Sequence, residues 1–345
     1  MRGTTRYTMS ATDIESFDIA SQSRTEDLQP GLPHESALIS GFGRPDFVGA
    51  NEILPTVDVS RERGSWTEFG ADGHKIVAGL VQPLGEKRKS VSIQLSHGDY
   101  KMVKVGLDAI LYDEELNEIE PDDREAFKDR TIKRAGDALT LYKEKTVRDL
   151  VSSPTNFAAG FKETMASSAI RWSDYVNSDP NLDVDRWCTA LEVSHDVDRR
   201  SFTVGLPMDV FGKVKNHPKC QVISTTGFRQ PATEAHLAAI WNVKEVKILS
   251  GKYQTQLDPK DTRTIQFFHL WSNIVVIYRR IEKPTIDAPL AGAIVRRKGF
   301  PVVREPHRDK DRDADIYPVV DKWGVMWRAT PTGNNRMFLA DRVIT

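Results

Sequence analysis

A long helical pattern, from Asp122 to about Ser153, constrains the fold of this chain more than any other feature. Pro121 precedes the pattern, and its first turn is acidic, which complements the helix dipole. Pro154 follows it and cannot continue a helix. One apolar stripe recurs at three- and four-residue steps: Phe127, Thr131, Ala135, Leu139, Tyr142, Thr146 and Leu150. At a rise of 1.5 Å per residue the predicted helix is a rod of roughly 45 Å, so the remaining elements have to be arranged along it.

The N-terminal segment, residues 1–65, has too few apolar residues to close a core. Glycine and proline interrupt it repeatedly, and its apolar runs are as short as Ala37 to Ile39. We expect an N-terminal arm that becomes ordered by lying on another surface. A disordered tail fits the composition equally well.

Residues 66–105 contain short runs with high β propensity. The runs are Ile76 to Val81, Val91 to Leu95 and Tyr100 to Val105. The connection between the first two is too long for a tight hairpin, and Lys87, Arg88 and Lys89 lie in it. This pattern predicts a projecting β-arm with a basic tip, which buries little in its own subunit and needs a neighbour for support.

The second half of the chain mixes helical and strand patterns, which is typical of an α+β fold. A polar linker at 174–183 marks a domain boundary. Predicted helices are Val184 to Leu191, Asp209 to Asn216 and Pro231 to Ile240. Predicted strands are Phe202 to Leu206, Val243 to Leu249, Thr264 to Trp271, Asn273 to Arg279, Ala291 to Arg296, Gly324 to Ala329 and Met337 to Ile344. The charged residues His307 to Asp315 are predicted to form an exposed loop.

The overall charge argues against a nucleic-acid-binding protein. There are 48 Lys plus Arg against 49 Asp plus Glu, for a formal charge of -1, so no positive field holds a polyanion and any contact with DNA is expected to be weak and local. The two cysteines, Cys188 and Cys220, are expected to be reduced thiols. No secretory signal and no membrane-spanning apolar stretch is present in the sequence, which favours a protein assembled in the cytoplasm with no membrane partner.

The sequence contains no set of motifs that defines an enzyme. Gly41 to Pro45 lacks the Gly-Lys-Ser/Thr ending that holds a nucleotide phosphate, and the common hydrolase and zinc motifs do not occur. His236 and His269 lie in apolar patterns, which favours packed core histidines. We therefore predict no enzymatic activity and no catalytic, cofactor-binding or metal-binding residues. An α+β hydrolase is the alternative from another functional class.

Two charged clusters carry the one hypothesis about functional residues. The first is the basic tip, and the second is an acidic stretch: Asp113, Glu114, Glu115, Asp122 and Asp123. Adjacent side chains on a helix do not face each other, so these acids are not paired catalytic carboxylates. We predict that the basic tip of one subunit crosses onto the acidic stretch of the next, where several weak ion pairs set the register. The alternative is a tip that is merely solvated.

Several local stretches occur in the order found in one known family. They are Lys104 to Glu115, Ser152 to Phe157, the WSD of Trp172 to Asp174 with the SDP of Ser178 to Pro180, Phe202 to Phe211 with Asn216 to Pro218, Thr233 to Val246, and Phe268 to Tyr278. In the last, Ser272 replaces the family's glycine. Over about residues 66–345 the chain resembles the major capsid proteins of tailed bacteriophages, which have the Hong Kong 97-type fold. Residues 1–65 match nothing specifically.

The resemblance implies a domain division. Residues 66–105 would be the extended loop of the family, and 106–182 the peripheral domain, with the spine helix at 122–153. Residues 183–279 would be mostly the axial domain, and 280–345 would return to the peripheral domain as C-terminal strands.

The resemblance also implies a function. The chain would be a major capsid protein that assembles with copies of itself into hexamers and pentamers of an icosahedral head around double-stranded DNA. The implied further partners are a portal protein, scaffolding and decoration proteins, and the packaged DNA by weak non-specific contact. The protein would be located in the virion and assembled in the host cytoplasm. An encapsulin-type compartment shell is the alternative with the same fold.

Overall fold

The computed structural model describes residues 49–69, 95–195, 197–223, 229–254, 267–281, 284, 290–328 and 336–344. Most of the predicted N-terminal arm and residues 70–94 of the predicted β-arm, with Lys87, Arg88 and Lys89, lie outside these ranges.

The α-helices in the described ranges are α1 (Gly49–Ile53), α2 (Asp113–Asn117), α3 (Arg124–Val151), α4 (Pro180–His195), α5 (Met208–Val214) and α6 (Glu234–Ile240). The strands are β1 (Thr56–Val59), β2 (Arg63–Phe69), β3 (Leu95–Lys101), β4 (Val103–Tyr112), β5 (Lys162–Thr164), β6 (Phe202–Pro207), β7 (Val222–Ile223), β8 (Arg229–Gln230), β9 (Glu245–Leu249), β10 (Lys252–Gln254), β11 (Phe267–His269), β12 (Ile274–Arg279), β13 (Gly292–Arg297), β14 (Val302–Val303), β15 (His307–Asp309), β16 (Ala314–Trp327) and β17 (Met337–Asp341).

Helix α3 is the long helix predicted at 122–153, and a 3-10 turn, Pro121–Asp123, leads into it. Its buried face differs from the predicted stripe. Tyr142 is 53% exposed, whereas the buried residues are Ile132, Ala135, Gly136, Leu139, Glu144, Val147 and Val151. The buried face is rotated relative to the predicted stripe because small residues and one carboxylate, which an apolar pattern ignores, lie on it.

One sheet packs against α3. Its strand order is β1-β13-β16-β14, and both β4 and β15 also pair with β16. Strand β16 is antiparallel to β4 over ten residue pairs, from Ala314 opposite Tyr112 to Trp323 opposite Val103. Ala109 of β4 and Val319 of β16 share a core with Ile132 and Leu139 of the helix.

The predicted charged loop at 307–315 is wrong. Residues His307–Asp309 form β15, which pairs with the first residues of β16, so that the strand predicted at 324–329 starts at Ala314. Ala314 and Ile316 are buried while the charged neighbours point outwards. The dense charges therefore concealed the two-residue alternation of a strand.

A second sheet has the order β5-β17-β12-β6-β9 and packs against α4, α5 and α6. Strand β17 lies inside this sheet, between β5 and β12. The strands of residues 280–345 thus divide between the two sheets: β13 to β16 lie in the sheet on α3, and β17 lies in the second sheet. Phe338 of β17 adds a packing contact to this pairing, because it stacks on Trp187 of α4 at 5.5 Å between ring centroids.

The polar linker predicted at 174–183 is part of this packed layer. The Trp172 indole before it is fully buried and donates a hydrogen bond to Asp183 at 2.9 Å. Helix α4 already starts at Pro180, and Ser178 is buried. Polar composition here reflects side chains that cap turns, as Asp174 does for Val176 and Asn177.

Strands β2 and β3 form a separate two-stranded ribbon, with Arg63 opposite Lys101 and Phe69 opposite Leu95. The strand predicted at 100–105 is divided between β3 and β4 at Met102, whose N–H donates to the Glu62 carbonyl. The ribbon therefore leads directly into the sheet that packs on α3.

Gly324 allows β16 to pass close to the ribbon. A Cβ at this position would lie 2.3 Å from the Lys101 carbonyl oxygen, whereas a Cβ at Gly212 in α5 meets nothing within 4 Å. Because a backbone atom cannot rotate away, we expect Gly324→Ala to lower the free energy of unfolding by about 2 kcal/mol or more. Gly212→Ala, the control, should leave it unchanged or raise it by up to about 1 kcal/mol. Denaturant unfolding of both variants measures the difference, and equal effects would contradict this account.

Candidate subunit-contact surface

The acidic stretch lies where β4 ends and α3 begins. Glu114 and Glu115 are in α2, and Asp122 and Asp123 are in the 3-10 turn before α3. All four are exposed, and within the part of the chain that the structure describes their side chains make no hydrogen bond or ion pair. Acidic residues suit these positions because they lie near helix N-termini. We call these four residues the acidic surface.

Asp113 differs from its neighbours. The guanidinium of Arg308, in β15, donates to Asp113 Oδ1 at 2.7 Å and also to Oδ2. Arg308 also contacts Asp315 at 3.4 Å. Hydrogen bonds from Arg308 lower the pKa of Asp113. Asp113 therefore ties the end of β4 to the β15–β16 hairpin in its own subunit, a long-range pairing that sequence spacing does not reveal.

The acidic surface is not arranged as a metal site. Among the described residues no group of three or more His, Cys, Asp or Glu side chains is placed to hold a metal ion. The carboxylates are spread along two short elements and do not converge on one point. The clustered carboxylates create a negative electrostatic potential, which attracts a cationic partner.

Exposed apolar side chains form further candidates for contact. Val176 and Val193 are each 82% exposed and Leu182 is 67% exposed, all in or near α4. Leu182 and Val193 lie on the face of α4 opposite the buried Val184, Trp187 and Leu191, so the helical pattern could have revealed these two. Exposed apolar groups of this size on a soluble domain commonly mark an interaction surface.

The outer edge of β4 is another candidate. In the described ranges β4 pairs only with β16, so one side of a ten-residue strand presents its backbone to another partner. Val103 and Leu107 are exposed along this strand, and the exposed Tyr142 packs edge-on against Trp323, the residue opposite Val103. Strand edges of this kind pair readily with extended segments of other chains.

A serine–histidine contact bears on the alternative of a hydrolase. Nε2 of the buried His217 is 3.0 Å from the Ser178 hydroxyl, which donates to the Asp174 carbonyl at 2.6 Å. Nδ1 accepts from the Lys219 N–H at 3.2 Å. The proton of the ring is therefore on Nε2, and His217 donates to Ser178. A general base needs a free lone pair facing the hydroxyl, so this pair is structural.

The histidines named from the sequence are placed differently. His236 is half-buried and His269 is exposed, so the prediction of a packed core histidine is wrong for His269. Strand β11 pairs only with β10 in the described residues, and its other residues, Phe267 and Phe268, are also exposed. His217 is the buried histidine that sequence reasoning missed, and its polar Asn-His-Pro context gave little sign of burial.

Both cysteines are free and buried, in agreement with the prediction of reduced thiols. Burial raises the pKa of Cys188 and of Cys220 to about 12, so neither thiol is a reactive nucleophile. No helix in the described ranges is both long and apolar enough to cross a membrane.

Comparison with known proteins gives a consistent result. No family model matches the chain. The major capsid protein of Burkholderia phage BcepMu is 24% identical over 273 residues, which cover 77% of this chain and 83% of the relative. A phage-related protein from Bordetella bronchiseptica superimposes with a TM-score of 0.67 at 21% identity, over 91% of this chain and 98% of that structure. The capsid of cyanophage P-SCSP1u gives a TM-score of 0.52 at 10% identity, over 99% and 100%.

The matched structures define the class of the fold: it is the Hong Kong 97-type capsid fold, as predicted from the sequence. The curated relative is a phage major capsid protein, so the resemblance to that family is also confirmed.

His217 should make stability depend on pH. Burial, and then Lys219, lowers its pKa below the ordinary value of 6.5. Below about pH 6.5 the unfolded chain therefore binds a proton that folded His217 does not, so the contribution of His217 to stability should fall as the pH is lowered from 7.5 to 5.5. In thermal unfolding we expect the wild type to lose stability relative to His217→Gln as the pH is lowered over this range, whereas its difference from His269→Gln, at an exposed site, should stay constant. A slope unchanged in His217→Gln would contradict the assignment.

Proposed function

We infer that this chain is the major capsid protein of a phage head, a subunit that assembles with its own copies into the shell. The observation that carries this conclusion is the similarity over 77% of the chain to a curated phage major capsid protein. The shared fold, which extends over 91% of the chain in one solved structure, supports it.

The proposed shell consists of hexamers and pentamers that form an icosahedral head around double-stranded DNA. Closed symmetry turns several moderate contacts per subunit into a stable particle. The near-neutral charge supports a wall that encloses DNA by weak, non-specific contact. A portal protein and scaffolding and decoration proteins are the further partners, with assembly in the host cytoplasm and the virion as the final location.

We propose a domain division close to the one expected from the sequence. Residues 66–105 are the extended loop, and α3 with the sheet of β4, β13 and β16 is the peripheral domain. The sheet of β6, β9 and β12 with α4 to α6 is the axial domain. Strand β17 is assigned to the axial domain, because it pairs with β12 there.

The proposed role is structural and not enzymatic. The direction of the Ser178–His217 hydrogen bond supports this, because it removes that serine–histidine contact from consideration as a catalytic pair. The buried, unreactive cysteines agree with it.

Electron microscopy of the purified full-length chain tests the main proposal. Expressed in bacteria, alone or with the products of neighbouring genes, the chain should form uniform closed particles tens of nanometres across in negative stain. Particles that package nucleic acid would support a phage head, and particles that package only protein would favour the encapsulin-type alternative. A chain that stays monomeric under both conditions would contradict a shell function.

We also propose that the basic tip, Lys87, Arg88 and Lys89, contacts the acidic surface of a neighbouring subunit. The exposure and lack of partners of these carboxylates within the described part of their own subunit support this. Exposed ion pairs contribute about 0.2–1 kcal/mol each, so the contact sets register and remains reversible. Asp113 is left out of the proposed contact, since Arg308 already engages it.

Charge reversal tests this contact. Changing the three basic residues of the tip to Glu should reduce the yield of closed particles, and so should changing Glu114, Glu115, Asp122 and Asp123 to Lys. Combining both sets should restore much of the yield, because the attraction returns with opposite sign. The control reverses three exposed lysines elsewhere, Lys252, Lys298 and Lys310. Normal particles from the tip variant, or combined variants no better than either set alone, would refute the contact.

A further inference from the structure

Helix α3 carries a buried carboxylate on the face that meets α1. Glu144 is 2% exposed, and its Oε2 accepts a hydrogen bond from the Ala50 N–H at 2.5 Å. The other oxygen, Oε1, and the indole Nε1 of Trp271 are both buried, and neither makes a hydrogen bond of full geometry among the described residues. The indole N–H is nevertheless near enough to the carboxylate to favour its ionised form. A buried carboxylate with an incomplete set of partners is costly.

This carboxylate lies at the point where the N-terminal segment enters the fold. Ala50, Ile53 and Leu54 are buried in one core with Val147 and Val151 of α3. The same core contains residues of both sheets, including Val276, Leu339 and Ile294. Helix α1 is therefore a wedge between the long helix and the two sheets.

Trp271 fixes the other side of the wedge. A Cβ on Gly49 would lie 2.2 Å from the Trp271 Nε1, so the indole rests directly on the glycine backbone. Only a residue without a side chain allows this approach. Helix α1, Trp271 and Glu144 thus form one contact cluster, which we call the wedge cluster.

Two opposing effects act on the Glu144 proton. The N–H groups of Ala50, Trp271 and Gly49 and the ammonium of Lys143 favour the ionised form, while burial favours the neutral form. Burial is the larger effect and raises the pKa of Glu144 to about 7. An exposed glutamate has a pKa near 4.5, so the docked wedge binds this proton more tightly than an open wedge does.

We propose that Glu144 is a proton-linked latch for helix α1: it holds a proton while α1 is docked in the wedge and releases that proton to water when α1 leaves. The hold on α1 therefore weakens as the pH rises through neutrality. The reaction is a reversible opening with one proton released. It concerns the single subunit and does not depend on the proposed shell.

Other charged groups surround the wedge cluster. Lys143 of α3 is next to Glu144 in sequence and interacts with Asp321 of β16 and Arg296 of β13. Glu52 of α1 pairs with Arg280, after β12, at 2.9 Å. All of these groups are retained when Glu144 alone is changed. The difference in the pH dependence of opening between wild type and variant therefore reports on Glu144.

Hydrogen exchange of the full-length subunit tests the latch. After correction for the intrinsic exchange rate, the opening equilibrium of the amides from Ala50 to Leu54 should increase roughly tenfold between pH 6 and pH 8 in the wild type. In Glu144→Gln it should be independent of pH, since the amide carries no proton to release. Glu125→Gln, an exposed change on the same helix, is the control and should behave as the wild type does.

A second variant keeps the test valid if Glu144→Gln does not fold. Trp271→Phe removes one N–H that favours the ionised carboxylate, so the increase in opening should move to higher pH. If Trp271 only filled space, Trp271→Phe would not change the pH at which the opening equilibrium increases. An opening equilibrium in the wild type that is independent of pH, or a pH dependence that persists in Glu144→Gln, would overturn the proposal.

Discussion

The pairing of β4 with β16 is the interaction on which the rest of the structure depends. It joins residues 103–112 to 314–323 over ten residue pairs and gives α3 a surface to pack on. These two strands are separated by about two hundred positions in the chain, so the entropy of closing that loop has to be offset by the whole layer. Helix and sheet therefore form together, because neither buries its apolar face alone.

The two-layer arrangement leaves specific parts of the chain without support. The outer edge of β4 is unpaired among the described strands, and the acidic surface lies at the exposed start of α3. The edge of β4 exposes unpaired backbone groups and apolar side chains, and the acidic surface exposes carboxylates without partners in its own described chain. Such features are a liability in an isolated subunit and are useful in a protein that assembles with copies of itself.

The parts of the fold that sequence predicted well are those decided by local chemistry. The position of helix α3 follows from the sequence because Pro121 precedes the helical pattern and Pro154 ends it. The errors arise where long-range pairing decides. The segment 307–315 is charged enough for a loop but pairs as β15 and β16. Long-range pairing also places β17 in the second sheet, where Phe338 stacks on Trp187. A single sequence carries no direct information on which distant strands meet.

The candidate contact residues also divide into those whose environment is set by local chemistry and those whose environment is set by a distant part of the chain. Glu114, Glu115, Asp122 and Asp123 are exposed as local reasoning predicts, whereas Asp113 is engaged by Arg308, nearly two hundred residues away. Glu144 looked like any polar residue on a helix. Its spacing of three and seven residues from Val147 and Val151 placed it on the buried face, and that spacing was the available signal.

The buried and the exposed charges have opposite consequences for assembly. Exposed carboxylates near the start of α3 are screened by salt and contribute little each, so contacts made through them form and break readily. Glu144, in contrast, is buried and therefore shielded from salt. The free-energy cost of its negative charge is set by the surrounding core. Ionic strength should therefore act mainly on the proposed contacts between subunits, while the proton concentration acts on the wedge inside each one. A subunit with both would change the strength of its external contacts without changing the anchorage of helix α1.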